Sequence, residues 1–239
     1  MSGSTQFAVG NDVVDLCDPS TVGKSLNERF VARILAPHEV AAFGQHLTDT
    51  LLWQLWAAKE SAYKIVAKVF GTSPPARALS VRAEAMTDGA LGIVDTAQGP
   101  IQVRWTVEPE FVHCVAWWPQ TAPADAQCRI VAGVQSAQEP GVGKTRLSRR
   151  ERLSARNTDS HAVRSLAKTL FARDDEAVGE LEIIRDCTDS GFGPPRFQRH
   201  GHPLAGTDLS LSHHGRFVAA VVSRPTAGSG MSEQDAKHD

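Results

Sequence analysis

The sequence predicts an α+β fold made of two similar lobes, each a long helix packed on a small antiparallel sheet. Three observations predict it. Residues 50–70 (TLLWQLWAAKESAYKIVAKVF) place Leu52, Trp56, Tyr63, Ala67 and Phe70 on or near one helical stripe, and Gly71 with Pro74-Pro75 ends the run. Residues 79–118 then switch to the alternating period of strands in LSVRAEAM, ALGIVD, IQVRWTVE and FVHCVAWW. Beyond residue 127 the plan recurs, with a basic helical segment at 148–173, a strand at 180–185 and a final apolar strand FVAAVV at 217–222.

Taken in order, VGNDVVDL reads as a short buried strand interrupted by acids and followed by a loop at Asp18, Pro19 and Ser20. Two short helices are predicted next. Leu26, Phe30 and Ile34 give 25–35 its helical spacing, and PHEVAAF opens with Pro37, a favoured first-turn residue. After the long helix come the four strand segments, separated at Asp88-Gly89 and Gly99-Pro100 and read as an antiparallel meander on that helix. The Pro/Ala/Gln-rich stretch 119–127 looks like a linker, and CRIVAGVQ (128–135) resumes strand character. A turn is predicted around Gly191, Gly193 and Pro194-Pro195. The expected division is therefore 1–119, a linker at 120–127, 128–225, and a disordered small, polar and charged tail at 226–239.

Composition excludes several classes. Lys+Arg 25 against Asp+Glu 27 leaves a formal net charge of -2 in 239 residues, so no global field favours nucleic acid or an anionic membrane. Cys17, Cys114, Cys128 and Cys187 are scattered without a Cys-x-x-Cys pair, which removes a zinc ribbon or redox motif. Met1–Thr5 lacks the apolar run of a signal peptide and no stretch approaches a membrane span, so a soluble cytoplasmic protein is expected. Three motif imitations fail on spacing: Gly143-Lys144-Thr145 lacks the leading P-loop glycine at Gln138, His38-Glu39 meets Ala42 instead of histidine, and no Gly-x-Ser-x-Gly elbow occurs.

Four constellations could carry chemistry. Glu60 and Lys64 share one face of the long helix, with Lys59 adjacent and Trp53, Trp56 and Tyr63 crowding the same stretch; alone, such a pair is an ordinary surface ion pair. Asp12, with Asp15 nearby, could supply a second acid from a strand end, and magnesium favours a few carboxylates completed by phosphate and water. Asp12 and Glu60 are the metal candidates, against a turn or cap role for Asp12. Ser212-His213, within LSLSHHGRFVAAVV, could hold a phosphate at a loop or simply be hydrogen-bonded structure. Arg149, Arg152 and Arg156 recur at helical spacing and offer guanidinium forks to phosphate, or a solvated basic face.

The order and wording of these segments resemble the 4′-phosphopantetheinyl transferase family over most of the chain. VGNDVVDL is similar to its Gly-x-Asp metal motif, RFVARILAPHEVAAF to its helix region, LWAAKESAYK to Trp-x-x-Lys-Glu-x-x-x-Lys, and LSLSHHGRFVAAVV to its Ser-x-Ser-His segment. Residues 8–118 resemble the C-terminal half of the two-lobed type and 128–224 its N-terminal half, so the halves stand in swapped order, with the motif order of the small trimeric holo-acyl-carrier-protein synthases. The resemblance implies a pseudo-dimer in one chain, monomeric, with a magnesium-dependent site between a metal-binding lobe and a coenzyme A-binding lobe. It further implies transfer of the phosphopantetheine arm of coenzyme A to a serine of an apo acyl or peptidyl carrier protein, against the alternative of an inactive coenzyme A- or carrier-binding module. Mapped onto this sequence, Asp12 and Glu60 hold magnesium, Glu60 and Lys64 serve catalysis, and Lys59, Arg149, Arg152, Arg164, Ser212 and His213 bind coenzyme A. Arg29 and Arg33 are expected to dock the carrier. Val14 stands where the two-lobed type has a third acid, and Pro194 where it has a lysine. A nucleic-acid role for 146–156 lacks an aromatic stacking platform.

Overall fold

The computed structural model describes residues 7–86, 90–119, 128–138, 147–155, 157–172, 180–188 and 191–226. The N-terminal half runs β1 (Ala8–Asp15), a 3-10 turn at Lys24–Leu26, α1 (Glu28–Ile34), α2 (Pro37–Phe43), α3 (Asp49–Phe70), β2 (Ser80–Val81), β3 (Leu91–Thr96), β4 (Gly99–Val107) and β5 (Phe111–Trp118). Its five strands are antiparallel in the order β1-β5-β4-β3-β2. The C-terminal half runs β6 (Cys128–Ser136), α4 (Arg149–Ser154), α5 (Thr158–Phe171), β7 (Leu181–Thr188), β8 (Gly191–Arg199), β9 (His202–Pro203), β10 (Asp208–His214) and β11 (Phe217–Pro225). Its strands form two three-stranded sheets, β10-β11-β6 and β7-β8-β9.

α3 starts where the Thr48 hydroxyl accepts the Leu51 N–H at 3.1 Å and stops at Gly71, whose φ of 67 only glycine adopts without strain. Leu52, Leu55, Ala58, Ala62 and Ile65 bury one stripe of it against Val112, Cys114 and Ala116 of the sheet. Small residues let the helix come close. A Cβ on Gly10 would lie 2.0 Å from the backbone oxygen of Ser61, so glycine at this position is what allows α3 to rest on β1.

Each half contains one fully buried acid–lysine pair built to the same plan. Glu39, in the first turn of α2, accepts the N–H of Ala36 and, through its other oxygen, that of Val81 on β2, while Lys59 of α3 meets it at 2.5 Å. Glu151, in the first turn of α4, likewise accepts the N–H of Ser148 and that of Ile183 on β7, and Lys168 of α5 meets it at 2.7 Å. In both cases one carboxylate satisfies a helix start and a strand edge, so the charge is buried with a donor on each of its oxygens.

The halves pack sheet on sheet. Val9 and Val115 meet Val221, and Val13 meets Phe217 and Ala219. Where β1 forms the edge of its sheet, side chains of β10 satisfy it. The N–H groups of Val9, Asn11, Val13 and Asp15 donate to Asp208 Oδ2 (2.8 Å), Ser210 Oγ (3.1 Å), Ser212 Oγ (3.3 Å) and His214 Nδ1 (3.2 Å) in turn. Both strands repeat every two residues, so one face of β10 stays in step with one edge of β1. The edge that could recruit a foreign strand is thereby closed. Lys68 of α3 adds a clamp, its Nζ reaching Asp208, Val9 O and Leu209 O within 3.0 Å.

Several sequence expectations need correction. LSVRAEAM pairs only at Ser80 and Val81, then tightens into a 3-10 turn at Ala83–Ala85, because alanines offer a pleated face little to bury. The second hairpin turns at 97–98, and Gly99-Pro100 already belongs to β4. The basic segment 148–173 is two helices, α4 ending at Ser154 and α5 restarting from the Asn157 cap. The Gly191–Pro195 turn is strand β8. Its prolines are tolerated because β9 pairs only with Gln198 and Arg199, leaving one edge of β8 open at Pro194 and Pro195. Asp88-Gly89, the linker from 120, Arg156 and the tail from 227 lie outside the described residues. Among the described residues, no helix is long and apolar enough to cross a membrane.

Candidate active site

A cleft of about 370 Å³ opens between the halves, lined by Asp12, Val13 and Val14 of β1, Phe30 and Arg33 of α1, Trp53, Trp56 and Glu60 of α3, and His213 and His214 of β10. One turn separates Trp53, Trp56 and Glu60 on α3, and this spacing is why the three face the same space. Phe30 and Trp53 stack tilted at 5.5 Å, Trp56 sits edge-on to Trp53 at 6.4 Å, and Arg33 lies over Phe30 at 5.9 Å. The result is an aromatic wall with Arg33 at its rim and Lys24 also over the Phe30 ring, at 5.5 Å.

Asp12 is held from two sides. Lys64 Nζ donates to its Oδ1 at 3.0 Å and to Asn11 O at 2.6 Å, and Ser212 Oγ donates to the same Oδ1 at 2.7 Å. Burial raises the pKa of Glu60, the negative charge of Asp12 raises it further, and Lys64 partly offsets both. Among the described residues no donor reaches Asp12 Oδ2 or the Glu60 carboxylate. Two carboxylates that repel one another in one cleft, with oxygens left over, fit a hard divalent cation that takes few protein ligands and completes its shell with phosphate and water. No cluster of three or more His, Cys, Asp or Glu side chains occurs among the described residues, so a denser cage is not formed.

The other sequence candidates divide. His213, with 44% of its side chain exposed, lines the cleft and lies 4.0 Å from Asp159 in the first turn of α5. Ser212 is on a strand instead of a loop and is buried, its hydroxyl engaged with Val13 and Asp12. Lys59 does not reach the cleft: it is 0% exposed and donates to Glu39 and to Ile34 O. Arg164 is also inside, 4% exposed, donating to Ser160 O and Ser154 Oγ, with its pKa lowered by burial and by nearby Arg185. Arg149 and Arg152 are exposed on α4 and do not line the cleft; Arg152 donates to Leu147 O.

Asp15 is removed from any metal role. Arg216 grips both its oxygens at 2.9 Å, and Cys17 and Arg216 add backbone N–H donors. Gly215, with φ 54, makes the wrap possible, since a Cβ there would meet Asp15 Oδ2 at 2.5 Å. The sequence reading missed this clasp, Lys68–Asp208, and the part of Phe30 in the wall. Only the Lys64/Lys68 spacing could have pointed to any of them.

The Arg216 hydrogen bonds hold Asp15 down at a pKa of about 2. A folded value below the unfolded one means that stability is fully present above the unfolded pKa of ~3.9 and lost as pH falls through the folded value. We expect the Asp15→Asn variant to lose about 2 kcal/mol at neutral pH and to lose less further stability than wild type between about pH 5 and pH 2, where Asp18 and Asp49, also held below the usual carboxylate range, still contribute. Urea unfolding across that range checks it, and parallel pH profiles for the two proteins would refute it.

A family model sets this geometry in context. Residues 8–118, which carry Asp12, Glu60 and Lys64, match the model of the 4′-phosphopantetheinyl transferase superfamily. Phosphopantetheine transfer is the chemistry for which that superfamily is named, and its members generally use coenzyme A and magnesium. The matched superfamily span ends at Trp118, so the β10 wall of the cleft is supplied from outside it. The chain matches no curated protein.

Proposed function

We propose that the protein transfers 4′-phosphopantetheine from coenzyme A to a serine of an apo acyl or peptidyl carrier protein, releasing adenosine 3′,5′-bisphosphate. The observation that carries this reading is the meeting of Asp12 and Glu60 in one cleft, with His213 on the facing wall. In this reading Asp12 and Glu60 hold magnesium, which when bound offsets the charge on the pyrophosphate. The carrier serine attacks the β-phosphorus, a new phosphorus–oxygen bond forms, and the bond to the α-phosphate oxygen breaks.

The chain's own groups do the rest. Glu60, which lines the cleft beside Asp12, takes the proton of the serine hydroxyl. Lys64 is tied by two of its three donors to Asp12 and Asn11 O, so it serves as a fixed cation that steadies the acid and not as the primary base. His213 stands ready for a phosphate of coenzyme A, with exposed Arg149 and Arg152 farther along the C-terminal half. Arg33 and Arg29, beside exposed Val22 and Leu26, offer an apolar and cationic face to an acidic carrier helix.

The matched Glu39–Lys59 and Glu151–Lys168 networks support reading the chain as two related lobes, a single-chain pseudo-dimer divided near 119 and 128. Free thiols at Cys17, Cys114 and Cys128 suit a cytoplasmic setting. Incubation with an apo-carrier, coenzyme A and magnesium should increase the carrier's mass by one phosphopantetheine arm, read by intact-protein mass spectrometry. No mass gain across a panel of apo-carriers, with coenzyme A still bound, would instead identify a binding module.

A further inference from the structure

We infer that Ser212 is a positioning residue for Asp12, fixing the carboxylate so that one oxygen is saturated and the other is left for the cation. This rests on the magnesium reading above and adds a residue on the opposite half to the support of the metal site. Ser212 has one proton to give. Its oxygen already accepts the Val13 N–H at 3.3 Å, which orients the hydroxyl, and the proton then goes to Asp12 Oδ1 at 2.7 Å, within the range expected of a hydroxyl on a carboxylate. With Lys64 on the same oxygen, Oδ1 has two donors and Oδ2 has none among the described residues. Such outer partners of a metal ligand fix its orientation and basicity.

The geometry also argues against direct phosphate contact by this serine. A hydroxyl committed to Asp12 and 7% exposed has no proton to offer a ligand. Ser210, one step earlier in the same ladder, provides an internal control. It accepts the Asn11 N–H at 3.1 Å in the same manner but meets no carboxylate among the described residues. A purely structural role for the ladder predicts that losing either hydroxyl has the same effect. A positioning role separates the two.

The test is Mn2+ binding to the full chain, followed by electron paramagnetic resonance, for wild type, Ser212→Ala, Ser212→Thr and Ser210→Ala. Ser212→Ala should weaken Mn2+ by about tenfold or more. Ser212→Thr, which keeps the hydroxyl, and Ser210→Ala should remain near wild type, and coenzyme A binding without metal should be unchanged in all three. Should alanine unfold the chain, Ser212→Cys keeps the volume with a weak donor and carries the same expectation. Unaltered Mn2+ affinity in Ser212→Ala, an equal loss in Ser210→Ala, or weakened metal-free coenzyme A binding in Ser212→Ala overturns the assignment. A Ser212-dependent Mn2+ site in a protein without transfer activity would leave the positioning role standing and remove the proposed reaction. Active transfer with an Mn2+ affinity indifferent to residue 212 would do the reverse.

Discussion

Replacing Glu60 by glutamine is expected to lower carrier modification by roughly 10²- to 10⁴-fold while coenzyme A still binds in the absence of metal. Glutamine keeps the shape and loses both the negative charge and the proton affinity, so one substitution removes a ligand of the cation and the proton acceptor together. The rate should also carry an acid limb that moves to lower pH as magnesium is raised, because burial and the Asp12 charge hold the Glu60 proton on in the metal-free protein and the cation, when bound, would oppose that. Single-turnover mass spectrometry over a pH series measures both effects. A Glu60→Gln enzyme within tenfold of wild type would show that the carboxylate is incidental to the reaction.

The second large effect concerns stability, at the motif lysine that lies outside the cleft. Lys59→Met should destabilise the protein by about 3–5 kcal/mol, because Glu39 would be left charged and unpaired at 0% side-chain exposure. For a chain of this size that lowers the melting temperature by about 6–20 °C. The double variant Glu39→Leu/Lys59→Met should recover much of the loss, since an apolar pair of similar volume removes the desolvation cost. It will not recover all, as Ala36 and Val81 then lose their acceptor. Should Lys59→Met melt as wild type and weaken coenzyme A instead, this lysine would be a ligand residue and its burial misread.

The sequence made the N-terminal half readable because its signals are local. The helical run of α3, the glycine at 71 and the alternation in β4 and β5 each reside within one segment, and the structure places those elements within a residue or two, although the buried stripe of α3 runs through Leu52, Leu55, Ala58, Ala62 and Ile65 and leaves Trp56, Tyr63, Ala67 and Phe70 half-buried. Glu60 and Lys64 were legible for the same reason, since helical spacing alone sets them on neighbouring turns. What pairing decides stayed hidden. The WAAKE motif sets Lys59 beside Glu60, yet a helix turns adjacent side chains about 100° apart, so Glu60 faces the cleft and Lys59 faces the core and Glu39. Pro194 and Pro195 read as a turn because proline lacks a donor, but whether a donor is needed there depends on how far β9 reaches along β8. Ser212 read as a phosphate ligand because nothing near it in sequence shows that β1 will come to lie beside it.

That last contact spans 200 positions, from Asp12 to Ser212. During synthesis the N-terminal half emerges first and can build its helix and sheet from contacts within itself. The edge of its first strand, however, waits for residues 208–214 before its amides and its acid are matched. A nascent or truncated chain therefore has the two carboxylates without the geometry that aims one of them. The aim of the Asp12 carboxylate is thus set by a segment that reaches it only after the first half has folded.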